Sequence, residues 1–308
     1  MSTLPTLVTA SEPGTSKVSA RGKWPAALLA GASLFAQAAN GWAVEPTVEV
    51  RFEVARGLTA HAHASQDGWI EIGTSRMPQA QRLQGASDEE GRSRLEHGDY
   101  NFDGYQDLVS RASMGQVNEA VVVHLYDPES GAFHELVAPS DPPASCEGFW
   151  SLSADAANRT LVSTCRSGPM WYSDIYRYEG KRLYLYRSMR LAYLETTALE
   201  RALSLEVAED AGPPAVWTTF DPSGKALERA IRDGLTLPPP GALRGDEAVV
   251  AASRLPLYTD PGDATTKRYL VEGDRVELLD ENEGWLQLRY RNPSRGPVLG
   301  WVKLPEPP

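Results

Sequence analysis

Residues 99–107 read Asp99-Tyr100-Asn101-Phe102-Asp103-Gly104-Tyr105-Gln106-Asp107. Side-chain oxygens recur at alternate positions, and Gly104 stands where a tight loop needs a left-handed residue. The run continues into Leu108-Val109, which reads as strand and not as helix. An EF-hand would place a glutamate twelfth from Asp99, where this chain has Ser110. The stretch is therefore expected to be a loop feeding a β-strand. Calcium takes roughly six to eight oxygen ligands gathered at one point. Asp99, Asn101, Asp103 and Asp107 would supply side-chain oxygens and Tyr105 its carbonyl, with Tyr100 and Phe102 packing the other way. The alternative is an acidic turn without metal. Calcium is the reading preferred, because carboxylates crowded this closely repel unless a cation neutralises them.

Outward from this loop, short alternating runs separated by turn residues dominate, and helical periodicity is nearly absent. Strands are expected at 48–54, 69–73, 105–112, 120–126, 132–137, 149–154, 161–166, 171–178, 182–187, 204–207 and 215–220, with one helical turn at 198–203. The turn Tyr126-Asp127-Pro128 with Gly131 is echoed by Phe220-Asp221-Pro222 with Gly224. The pattern predicts an all-β fold: an antiparallel meander, propeller-like or sandwich, over 44–236.

Leu237-Pro238-Pro239-Pro240-Gly241 opens a stiff linker, 237–246. The segment 247–305 carries Gly284-Trp285 in its middle and Gly300-Trp301-Val302 at its end. This spacing resembles bacterial SH3-like domains, small barrels that dock peptides or cell-wall peptide stems. The resemblance implies a ligand site at Tyr258 and Trp285, with Trp301 expected in the barrel core.

The 308 residues carry a formal net charge of −11, which argues against nucleic acid and anionic lipid as partners. Residues 1–43 read as an export signal: Lys17, Arg21 and Lys23 precede an apolar, small-residue-rich run with two plausible cleavage sites. Cleavage would leave a charge of −13. No cysteine lies near those sites, so no lipid anchor is expected, and no membrane span remains after cleavage. Cys146 and Cys165 are the only cysteines. In an exported protein they are expected to pair, across a hairpin turning at 155–158.

No nucleophile elbow or phosphate loop is present. His61 and His63 sit two apart with no third ligand near in sequence, so zinc is not expected there. The chain is expected not to be an enzyme. Arg166-Ser167-Gly168-Pro169-Met170-Trp171-Tyr172 stands out instead. Aromatics and arginine carry most of the binding energy at protein interfaces. The alternative is a hairpin turn whose aromatics pack inward.

Taken together, the acidic loop, the Tyr126-Asp127-Pro128 turn and the Arg166–Trp171 loop resemble exported FG-GAP/VCBS-like proteins that inhibit peptidoglycan hydrolases, over roughly 69–187. Those proteins are immunity partners of secreted muramidase effectors and are similar to periplasmic lysozyme inhibitors. The resemblance implies a periplasmic inhibitor that binds calcium and takes a secreted hydrolase as protein partner. Its loop, Ser-Gly-x-x-Tyr or similar, would enter the catalytic cleft. Here Ser167 and Gly168 match that loop, Trp171 holds the aromatic place and Tyr172 follows; Arg166 and Met170 complete the contact. The SH3-like segment departs from the family pattern. It implies peptidoglycan peptide as a further ligand and leaves a cell-wall binding or adhesion module as the alternative function.

Overall fold

Phe52, Val54, Leu58, Ala60, Ala62, Ala64, Ile70 and Ile72 alternate along three consecutive strands, and all are buried. That period-two pattern puts one face of a sheet in the core and the other in water. The computed structural model describes residues 48–65, 67–206 and 211–304, so the expected signal segment 1–43 lies outside the described residues. Among the described residues there are twenty-one strands and one helix, and the all-β expectation is borne out.

The first sheet is the antiparallel meander β1 (Glu49–Ala55), β2 (Leu58–Ala64), β3 (Trp69–Thr74) and β4 (Gln81–Gln84), in that order. The second repeats the plan with β5 (Arg94–Gly98), β6 (Asp107–Met114), β7 (Asn118–Asp127) and β8 (Ala132–Glu135). The acidic stretch is thus the β5–β6 connection.

β9 (Ser153–Asp155), β10 (Thr160–Ser167), β11 (Met170–Glu179) and β12 (Arg182–Leu191) continue as a third meander. After α1 (Thr196–Ala202) and β13 (Leu203–Leu205) the chain returns to it. There β14 (Pro214–Phe220) pairs with β12, and β15 (Ala226–Asp233) lies at the edge. The strand expected at 149–154 shrinks to β9 and one isolated bridge, Ala120 with Trp150. Ser151 takes a left-handed φ of 41°, which breaks the extended run between them. β15 was not foreseen. Its Leu-Glu-Arg-Ala composition favours helix, and full pairing with β14 overrides that preference.

Beyond residue 246 come β16 (Glu247–Val250), the two-stranded ribbon β17 (Leu255–Pro256) and β18 (Tyr269–Leu270), then β19 (Arg275–Asn282), β20 (Trp285–Asn292) and β21 (Gly296–Lys303). They do not close into the expected barrel. They form an open sheet in the order β13-β16-β19-β20-β21, whose first strand comes from before the proline-rich segment. That core is filled by Leu278, Leu286, Leu288 and Val302, whereas Trp301 is only partly buried, contrary to expectation.

Three of the cores join neighbouring sheets. Leu95, Leu108, Tyr126 and Phe133 pack with the first sheet. Val109, Val121 and Val123, on the other face of β6 and β7, pack with Leu161, Tyr176 and Leu185 of the third. Val216 and Ile231 of the third sheet share a core with the C-terminal strands. Ion pairs reinforce that last junction. The Arg190 guanidinium meets Asp280 at 2.8 Å and Glu281 at 3.0 Å, and Arg229 meets the other Asp280 oxygen at 2.8 Å. The fully buried Arg187 donates to the Pro239 carbonyl at 2.9 Å, to the Gly241 carbonyl and to Thr219 Oγ1 at 3.0 Å. The proline-rich segment therefore lies against the third sheet.

Candidate functional site

The 166–172 stretch is the tip of the β10–β11 hairpin. Ser167 pairs with Met170, and Gly168-Pro169 make the turn, with Gly168 at φ 59°. A Cβ built on Gly168 would meet nothing within 4 Å, so the turn stands in open space. Arg166, Ser167, Gly168 and Pro169 are exposed, while Met170, Trp171 and Tyr172 are partly buried. The Arg166 guanidinium lies 5.9 Å from the Trp171 ring centroid. A cation held over an indole face is favourable, and it keeps the arginine at the tip.

Three devices brace this tip. Cys146 and Cys165 are disulfide-bonded, with Cα atoms 6.3 Å apart. The bridge lies one residue below Arg166 and ties β10 to the 136–152 segment. Asp174, fully buried on β11, accepts hydrogen bonds from the Ser145 N–H at 3.0 Å and the Cys146 N–H at 3.2 Å. Burial raises the carboxyl pKa of Asp174, and those hydrogen bonds oppose the rise. Asn118, from the second sheet, bonds both backbone groups of Arg166. The sequence reading missed Asp174 and Asn118. A carboxylate inside a strand pattern was the available signal for Asp174; Asn118 is 48 residues from its partner and gave none.

In the acidic loop, Asp99 accepts from the Asp103 N–H at 3.1 Å and the Gly104 N–H at 2.9 Å. Asn101 Oδ1 accepts from the Asp103 N–H at 3.2 Å, and Asp103 Oδ1 accepts from the Tyr105 N–H at 2.9 Å. Phe102 at φ 61° and Gly104 at φ 92° provide the bends. Asp107 is fully buried; its oxygens accept from the Tyr100 N–H at 2.7 Å and the Tyr126 N–H at 2.9 Å. Burial pushes its carboxyl up to about 7, with the charges of Asp103 and Asp99 adding to the rise. Tyr100 is buried, and Phe102 packs edge-to-face on Tyr178 at 6.3 Å.

The donors are all oxygen, as a hard cation requires, and no lysine or arginine forms an ion pair with Asp99, Asp103 or Asp107 among the described residues. Each carboxylate oxygen also keeps a second lone pair beyond the bond it accepts, which comes from a backbone N–H or, at Asp103 Oδ2, from Asn101 Nδ2 at 2.8 Å. The donor chemistry therefore fits calcium. Even so, no set of three or more His, Cys, Asp or Glu side chains among the described residues is arranged to hold a metal ion.

In the C-terminal sheet, Tyr258 and Trp301 exchange two backbone hydrogen bonds, at 2.7 and 2.9 Å. The Tyr258 ring meets Trp285 edge-to-face at 5.2 Å. Gly300 is required here, because a Cβ would lie 2.8 Å from the Tyr258 carbonyl oxygen. The expected pair Tyr258 and Trp285 is brought together, and both rings are partly exposed. No helix among the described residues is long and apolar enough to cross a membrane. No family model matches this chain, and no curated protein matches it significantly.

Proposed function

We propose that this protein is a periplasmic, non-enzymatic inhibitor of a secreted peptidoglycan hydrolase, an immunity protein that plugs the hydrolase cleft with its 166–172 hairpin tip. The observation that carries this reading is the exposed tip braced from three sides, by a disulfide, by Asp174 and by Asn118. A braced loop has little conformational entropy to lose on docking, which improves affinity without new contacts. Neither the Ser167 hydroxyl nor the Trp171 indole N–H is engaged within the protein among the described residues. Both are free to donate to the carboxylates of a glycosidase cleft, and Arg166 adds a positive charge there. Glycoside hydrolysis needs one carboxylate as acid and another as base or nucleophile, so occupying either stops turnover. Calcium at Asp99, Asn101, Asp103, Tyr105 and Asp107 would be a structural ion that neutralises the loop.

A central tryptophan is typically worth about 2–4 kcal/mol when truncated, or about thirty- to a thousandfold in affinity. Trp171→Ala is expected to weaken inhibition of the cognate muramidase by that factor while the melting curve is kept. Full inhibition by Trp171→Ala would place the contact surface elsewhere. The partly exposed Tyr258–Trp285 pair supports a second reading, docking of a cell-wall peptide stem. Co-sedimentation with purified sacculi, lost in Trp285→Ala, would favour it.

A further inference from the structure

The sequence offers His61 and His63 no third ligand nearby, but the first sheet does. Strand register sets Glu49, His63 and Glu71 side by side across β1, β2 and β3. His61 lies in the next row of the same face, between Arg51 and Gly73. This face is the polar one, since Ala60, Ala62, Ile70 and Ile72 turn into the core. Four potential ligands from three strands therefore share one surface depression.

Glu49 reaches between the two rings. Its Oε1 is 3.4 Å from His63 Nδ1 and its Oε2 is 3.9 Å from His61 Nε2. Both contacts are too long for a good hydrogen bond. The 3.4 Å contact matches the separation of two ligand atoms on a tetrahedral zinc, about 3.3 Å for bonds of about 2.0–2.1 Å, and the 3.9 Å contact is longer. The donors do not yet converge on one point. Closing them needs only side-chain rotation, because these side chains are 51–62% exposed while their backbones are fixed by the sheet. Local charge favours a dication. Glu49 and Glu71 line the depression with a single cation, Arg51, which stands opposite His61, while Arg82, opposite Glu71, leans onto the Trp69 ring at 4.3 Å and toward Asp67 at 3.6 Å.

We infer that His61, His63 and Glu49, with Glu71 in the fourth position, form a zinc site on the outer face of the first sheet. Imidazole is a borderline-soft donor, so the site selects zinc or a neighbouring transition metal over calcium. It is separate from the acidic loop and does not depend on the inhibitory reading of the hairpin tip.

Titration calorimetry of the purified chain with zinc chloride, in a non-coordinating buffer with excess calcium, tests this. The expected result is a single saturable site with a dissociation constant of about micromolar. Binding should weaken by about tenfold in Glu49→Gln and by about a hundredfold in His63→Ala. Both residues are exposed, so both variants should melt like the parent chain. Absence of saturable binding would overturn the site. So would unchanged affinity in Glu49→Gln, which would reduce it to a bare histidine pair. Retained binding in the double variant His61→Ala/His63→Ala would place zinc elsewhere and equally refute it.

Discussion

Asn118 clamps Arg166 at two points: its Oδ1 accepts the Arg166 N–H at 2.8 Å, and its Nδ2 donates to the Arg166 carbonyl at 2.9 Å. Asn118 opens β7 of the second sheet, and Arg166 lies near the end of β10 in the third. One amide thus imitates a strand partner and fixes the base of the hairpin tip to a different sheet. The pair explains how a turn standing in open space can keep a defined position.

Asn118→Ala should loosen that tip more than it destabilises the fold. Two solvent-accessible hydrogen bonds are lost, for a cost of about 1 kcal/mol in unfolding free energy. Amide hydrogen exchange should quicken at 166–171 and stay unchanged in the first sheet. Inhibition should weaken in parallel if the tip is the contact surface.

Removing the disulfide should cost more. Cys146 and Cys165 are 19 residues apart, and opening a loop of that size is worth about 3 kcal/mol in the chain-entropy account. Denaturant unfolding of the Cys146→Ser/Cys165→Ser variant should show that loss as a lower midpoint, with a slope no smaller than the parent's because the unlinked denatured chain exposes more surface. Asp174 would still hold the Ser145 and Cys146 amides, so the segment should stay in place in the folded variant.

Acid should destabilise the second sheet through His124. This side chain is 2% exposed, its Nδ1 has no partner among the described residues, and burial lowers its pKa from 6.5 to about 4. The unfolded chain therefore binds the proton first. The contribution to stability is complete above pH 6.5 and is lost as pH falls toward about 4. His124 alone accounts for a loss of about 2 kcal/mol between about pH 6.5 and about pH 5. The Asp107 carboxyl, raised to about 7, acts with the opposite sign over the same range. The His124 effect is therefore read as the difference in pH dependence between the parent chain and His124→Leu, which removes the titrating group and keeps an apolar side chain.

Chelation tests the acidic loop. A ligand that binds only the folded chain stabilises it by mass action, by about 2.7 kcal/mol at a hundredfold excess over Kd, and so raises Tm. Chelator should therefore lower Tm of calcium-loaded protein, and Asp103→Ala should abolish the response. Identical melting with and without chelator would leave the loop as an acidic turn closed by its own backbone bonds.

Residue patterns alone specify the all-β class, the position of the acidic loop before a strand, the disulfide pair and the turn between the strands at 161–166 and 171–178. Each of these is written in local terms: period-two alternation, glycine where φ is positive, and two cysteines flanking a turn. What lies beside each of them follows from how the sheets pack. The 226–233 segment is helix-prone by composition and becomes a strand because β14 offers it a complete ladder. β13 joins the C-terminal sheet across some forty residues of intervening chain, so the strands after residue 246 stay open where a barrel was expected. Asn118 meets Arg166, and Glu49 meets His61 and His63, through sheet packing and strand register. Such contacts depend on how strands are ordered and stacked, a property of the whole chain that no local window of residues encodes.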